Sequence, residues 1–170
     1  MGAPFKKLPP LKYISESKPE SKSKVKNKKI FIVHGRDNSA KTAVKELLRD
    51  WGLEPTILHE KPNKGRTIIE KFEDYSDVSY AIVILTPDDK GRSKDVNKLN
   101  NRARQNVVFE LGFFYGKLGR DRVACLYKNG VELPSDIKGI VYIPFDKDLQ
   151  RDVSEELRKE LRAAGFVIKD

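Results

Sequence analysis

One acid stands alone in the most apolar stretch of the chain's second half. Glu110 lies within Val107-Val108-Phe109-Glu110-Leu111-Gly112-Phe113-Phe114-Tyr115, and nothing else in that run is charged. On a helix, positions 107, 111, 114, 115 and 118 form one stripe turned toward an interior. Glu110 shares a second stripe with Asn106, Phe113, Phe114 and Lys117. A carboxylate held against aromatic surface loses hydration, which raises its pKa and suits it to handling charge or protons. The same pattern also describes a surface glutamate paired with Lys117 or Arg104, and both readings stand at this point.

Other residues could complete a site around it. Gly35, Arg36 and Asp37 follow an apolar run, at the place where a base or phosphate would approach the end of a buried strand. Asp37 or Ser39 could equally be the N-cap of the next helix. Lys61, Lys64 and Arg66 could meet a pyrophosphate, or could simply solvate an exposed loop. Asp88 and Asp89 suit a cation or a ribose, although Pro87-Asp-Asp-Lys-Gly91 is also ordinary turn chemistry. Arg102, Arg104 and Asn106 precede Glu110 by one to two helical turns, which directs Arg104 or Asn106 toward the same edge. His34 ends a strand and reads as a satisfied core residue, as does Cys125 within an apolar strand.

The elements that must position these groups alternate in type. Continuous apolar runs at 29–34 and 80–85 have the character of central parallel strands. Further strands are expected at Glu54–Leu58, Val123–Tyr127 and Val141–Pro144. Between them, helical spacing covers Ala43 to Trp51, closed by Gly52, and Thr67 to Tyr75. It resumes from about Arg102 to Leu118, closed by Gly119, and from Leu149 to Ala164. Gly116 reads as a close-packing position. Alternating strands and helices over short connections mean an α/β fold with a parallel sheet of five strands and helices on both faces. Ligands of such sheets bind beyond the carboxyl ends of the strands, where the loops at Gly35, 59–66 and 86–100 converge.

Composition narrows the function. The 170 residues suit one domain at 29–170, preceded by a basic, disordered tail or linker at 1–28 with a possible apolar anchor at 8–14. The net charge is +9, but eight lysines and two glutamates in the tail account for +6, leaving +3 on the rest. A charge excess concentrated in a tail argues against a nucleic-acid groove in the fold. One cysteine and two histidines exclude an internal disulfide and make a zinc centre a poor fit. No apolar run approaches a membrane span, and no secretory signal precedes the domain, so a cytoplasmic protein is expected. There is no G-x-G-x-x-G after the first strand and no Walker lysine motif. A phosphorelay receiver would need acids where His34-Gly35-Arg36 and Thr86 stand.

The segment Arg102-Ala-Arg-Gln-Asn-Val-Val-Phe-Glu-Leu-Gly-Phe-Phe-Tyr-Gly-Lys-Leu-Gly-Arg120 resembles the signature of a bacterial Toll/interleukin-1 receptor (TIR)-like family of predicted nucleotide-binding proteins. That family is found in anti-phage effectors controlled by cyclic nucleotides. Phe31-Ile-Val-His-Gly-Arg-Asp37 reinforces the match, which covers about residues 29–168. The resemblance implies a flavodoxin-like TIR fold and hydrolysis of NAD+ to nicotinamide and linear or cyclic ADP-ribose. NAD+ is then substrate, with no cofactor or metal, and Glu110 is the catalytic glutamate. It further implies self-association through TIR surfaces, with the 61–66 loop as one such surface. A sensor domain or partner protein would control activity. Two rivals remain: a non-enzymatic TIR scaffold, and a nucleoside deoxyribosyltransferase-like enzyme with a glutamate nucleophile on a similar fold.

Overall fold

The computed structural model describes residues 25, 27–61, 65, 68–135, 137 and 139–169. The expected tail up to residue 24, its segment 8–14, and Lys64, Arg66 and Thr67 lie outside the described residues. Val25 and Asn27, counted in the tail from sequence, contact the domain. The Asn27 backbone N–H donates to Ser79 Oγ (3.1 Å), and Val25 packs against the core.

In chain order the elements are β1 (Lys29–Val33), α1 (Asn38–Asp50), β2 (Glu54–Thr56), α2 (Ile68–Tyr75), β3 (Tyr80–Leu85), β4 (Asp89–Gly91), β5 (Asn100–Arg102), α3 (Gln105–Leu118), β6 (Val123–Lys128), β7 (Val131–Glu132), β8 (Val141–Phe145) and α4 (Leu149–Ala163). The main sheet has five strands in the order β2-β1-β3-β6-β8, all parallel. This is the parallel α/β architecture expected from the strand–helix rhythm, and it is consistent with the flavodoxin-like fold that the resemblance implies.

The apolar runs become central strands because both of their faces are covered. All six residues of β3 are buried. Successive side chains of a strand point to opposite faces, so Ile30, Ile32, Ile82 and Ile84 join Val44, Leu48, Val153, Leu157 and Leu161 of α1 and α4. Phe31, Val33, Val83 and Leu85 instead join Val107, Leu111 and Phe114 of α3 on the other face. Each such side chain contributes about 1.5–3 kcal/mol on full burial. Asp37 and Asp148 cap α1 and α4, each accepting from a backbone N–H in the first turn. Gly52 and Gly119 take left-handed backbone just past α1 and α3.

Several boundaries differ from expectation. The second strand stops at Thr56, and Leu58–Glu60 forms a single 3-10 turn. As an edge strand, β2 tolerates Pro55, whose missing N–H would break a central ladder. The third helix begins at Gln105 rather than Arg102. Residues 100–102 instead pair antiparallel with 89–91 and parallel with 131–132, forming a second, three-stranded sheet beyond the carboxyl edge. Polar residues without alternation gave no sign of these strands, because their pairing is set by tertiary contact. Tyr115, expected on the buried stripe, is 36% exposed. A Cβ at Gly116 would meet nothing within 4 Å, so close packing does not explain that glycine. None of the described helices is long and apolar enough to cross a membrane.

Candidate active site

The chain leaves β1 toward β2 on one side and returns to β3 on the other, so the strand order reverses between β1 and β3. In open α/β sheets the ligand crevice lies at that reversal, outside the strands' carboxyl ends. The turns after β1 and β3 meet there, joined by contacts of Gly35 and Arg36 with Asp88 and Asp89.

Glu110 is placed by the packing of α3. Val107, Leu111 and Phe114, each 1% exposed or less, lock one face of the helix against the sheet. Glu110 is thereby left half-buried one turn before Phe113 and Phe114. Those rings belong to an aromatic cluster with Phe31 and Phe72, at centroid separations of 4.5 to 5.5 Å. Burial pushes the Glu110 carboxyl up to about 7, and the nearby Arg104 guanidinium offsets this only in part. The alternative of a surface pair with Lys117 is not what forms. The Lys117 ammonium donates to Ser76 Oγ (2.6 Å) and lies over the Phe113 ring. Among the described residues Glu110 has no hydrogen bond or ion pair.

The other predicted residues separate into groups. Gly35, Arg36, Asp88 and Asp89 come together across the β1–β3 crevice. Asp88 Oδ2 accepts from the Arg36 backbone N–H (3.2 Å) and Oδ1 from the Thr86 hydroxyl (3.1 Å). The Arg36 side chain reaches Asp89 at 3.8 Å. Asp37 faces elsewhere: its Oδ1 accepts from the Ala40 N–H (2.9 Å) as the cap of α1. His34 is half-buried, with Nδ1 2.9 Å from the Gly35 carbonyl oxygen. Lys61 lies over the Tyr75 ring, 5.6 Å from its centroid. Arg104 sits at the N-cap of α3 and Asn106 is exposed in its first turn. Arg102 leaves the cleft for β5, where it pairs with Glu132 at 2.8 and 3.1 Å. Cys125 is buried in the core.

Glu110 lines neither of two cavities found among the described residues. A groove of about 810 Å³ opens between the N-termini of α1 and α4 and includes Asp37, Glu46, Lys128 and Gln150. A smaller one of about 370 Å³ lies beside Arg102, Val108 and Glu132. Size alone favours the first. Chemistry favours the α3 side, because only there does a carboxyl with a shifted pKa stand without a fixed partner. Sequence reasoning missed the role of Thr86, which it used only to reject a receiver domain. A hydroxyl two residues before an acid at a strand end was the available signal.

Residues 29–147 match the family described as "CAP12/Pycsar effector protein, TIR domain". Protein YuaY of Escherichia coli K12 is 49% identical over 82% of this chain and 46% of its own length. Protein tirC of Dictyostelium discoideum is 38% identical over 81% of the chain and 72% of its own. The Pycsar effector protein PaPycTIR of Pseudomonas aeruginosa is 43% identical over 43% of the chain, but only 24% of its own length. The chain therefore spans less than half of YuaY and about a quarter of PaPycTIR.

Proposed function

The chain belongs to the TIR-domain family of CAP12/Pycsar effector proteins, and on that premise we propose that it cleaves NAD+ at the nicotinamide–ribose bond with Glu110 as its catalytic carboxylate. The observation carrying this reading is a half-buried carboxyl on α3, raised to about 7 by burial and with no hydrogen bond or ion pair among the described residues. Breaking the N-glycosidic bond builds positive charge on the ribose. A carboxylate beside that carbon stabilises the charge and can hold the ribose hydroxyls. The bonding pair leaves with the pyridinium ring, which departs as neutral nicotinamide and needs no general acid. Water, or a nucleophile on the same molecule, then takes the ribose carbon and yields linear or cyclic ADP-ribose. The cationic ring also favours the ionised form of Glu110 on binding. Arg36, Lys61, Arg66, Arg104 and Asn106 are the proposed nucleotide contacts, with Gly35 and Asp88 forming the wall of the crevice and Asp37 shaping the turn as a helix cap.

We further propose that the protein acts in the cytoplasm as an anti-phage effector whose activity rises on self-association, under a sensor region or partner. The larger part of PaPycTIR lies outside the stretch this chain matches, which leaves room for such a region in that relative. One observation favours a scaffold as the second reading: Phe109 is 65% exposed on α3, with Val108 exposed beside it. Large apolar groups placed together on a surface suit contact with another protein.

The deciding experiment incubates concentrated protein with NAD+, with and without a crowding agent, and follows nicotinamide by chromatography beside Glu110→Gln. Release that vanishes in the variant supports the hydrolase. Release that persists removes Glu110 from the role. Silence from assembled wild type supports the scaffold.

A further inference from the structure

The loops after β1 and β3 are joined by a contact that depends on a missing side chain. Gly35 does not have the left-handed backbone of the other special glycines, so conformation does not explain it. Space does: a Cβ on Gly35 would overlap the Asp88 carboxylate at both Oδ2 and Cγ. The carboxylate turns Oδ2 toward the glycine and is pinned at both oxygens, by the Arg36 N–H and by the Thr86 hydroxyl. Thr86 is itself 2% exposed, so one anchor of the contact is part of the buried frame. Val33 pairs with Val83 in the ladder beneath, which makes the contact a bridge across the neighbouring strands where the sheet order reverses.

Resting on the NAD-binding reading, we infer that Asp88 is a positioning residue: lodged over Gly35, it holds the turns after β1 and β3 at the spacing the nucleotide crevice requires. The negative charge is secondary in this role, since both carboxylate oxygens act as acceptors for groups of the protein. Asparagine can keep both contacts. Its amide oxygen accepts from the Arg36 N–H and its amide nitrogen donates to the Thr86 oxygen. Alanine at 88 removes the bridge, and alanine at 35 expels it. Two chemically unrelated substitutions therefore break one contact.

The test is a double-mutant cycle over Gly35→Ala and Asp88→Ala in the full chain. NAD+ affinity is measured by titration in a Glu110→Gln background, and KM and kcat for nicotinamide release with Glu110 intact. Each single variant is expected to weaken NAD+ binding about tenfold and to raise KM accordingly, with kcat changed less than about threefold. The double variant should be no worse than Asp88→Ala, and Asp88→Asn should recover most of the affinity. Latch-dependent binding without nicotinamide release would sink the hydrolase and leave this inference standing. Nicotinamide release with additive losses, with kcat falling at constant KM, or with Asp88→Asn as poor as Asp88→Ala, overturns the inference and spares the hydrolase. Absence of NAD+ binding in every form overturns both.

Discussion

Asp88 fills the volume that a side chain at Gly35 would need, and the two residues, 53 positions apart in the chain, act as one unit at the carboxyl edge of the sheet. The unit also has a consequence for stability. Gly35→Ala forces the carboxylate off two hydrogen bonds, at a cost of about 1–2 kcal/mol, or a few degrees in Tm. In an Asp88→Ala background the same glycine substitution should cost nothing further. Thermal melts of the four proteins check this, and equal losses in both backgrounds would mean the clash is relieved elsewhere.

Glu110 should impose a pH dependence on turnover. If its carboxylate form stabilises the ribose cation, kcat/KM for NAD+ rises with pH and levels off above about 7, the value to which burial raises the free protein's carboxyl. Steady-state rates across roughly pH 5.5 to 8.5 measure this. A flat profile would remove the ionisation of Glu110 from the rate.

The same shift predicts a stability effect of opposite sense. Folded Glu110 holds its proton more tightly than the unfolded chain, so its contribution to stability is lost as pH rises from 4.5 toward about 7. Glu110→Gln removes that penalty. The variant should be more stable than wild type at pH 8, by on the order of 2 kcal/mol, and equal to it near pH 4. Urea denaturation at the two pH values reads the difference. A variant no more stable at pH 8 would show that the site relaxes around the charge.

Leu111 is fully buried and anchors α3 one residue past Glu110. Leu111→Ala should cost about 3–5 kcal/mol and loosen the seat of the carboxyl, so that activity falls together with the urea midpoint. Full activity in a strongly destabilised variant would separate the site from the packing of α3.

Phe109 is 65% exposed, so removing its ring takes little from the core. Phe109→Ser should leave the melting temperature within about 1–2 °C, as surface changes do. It should also lower self-association and any turnover that depends on it. Light scattering against protein concentration decides the matter, and unchanged association would assign that ring no partner.

The fold was legible from residue order because its main strands are apolar on both faces and its helices are striped. The runs at 29–33, 80–85 and 123–128, the cap candidate Asp37, and the glycines at 52 and 119 each state their structure locally. Glu110 was legible for the same reason, as a lone charge where the helical pattern demands apolar neighbours.

Contacts between distant segments were not legible. Strand β5 borrows its structure from β4 and β7, so the end of a polar loop becomes a ladder, and Arg102, read as the start of a helix, turns to Glu132 instead of the cleft. The raised carboxyl of Glu110 was foreseeable in direction, but its lack of a partner depended on Lys117 finding Ser76. Gly35 and Asp88 were each noticed alone. Local periodicity reports burial along one element, whereas the fit of a carboxylate over a glycine is set by the spacing of two strands, which no stretch of sequence encodes by itself.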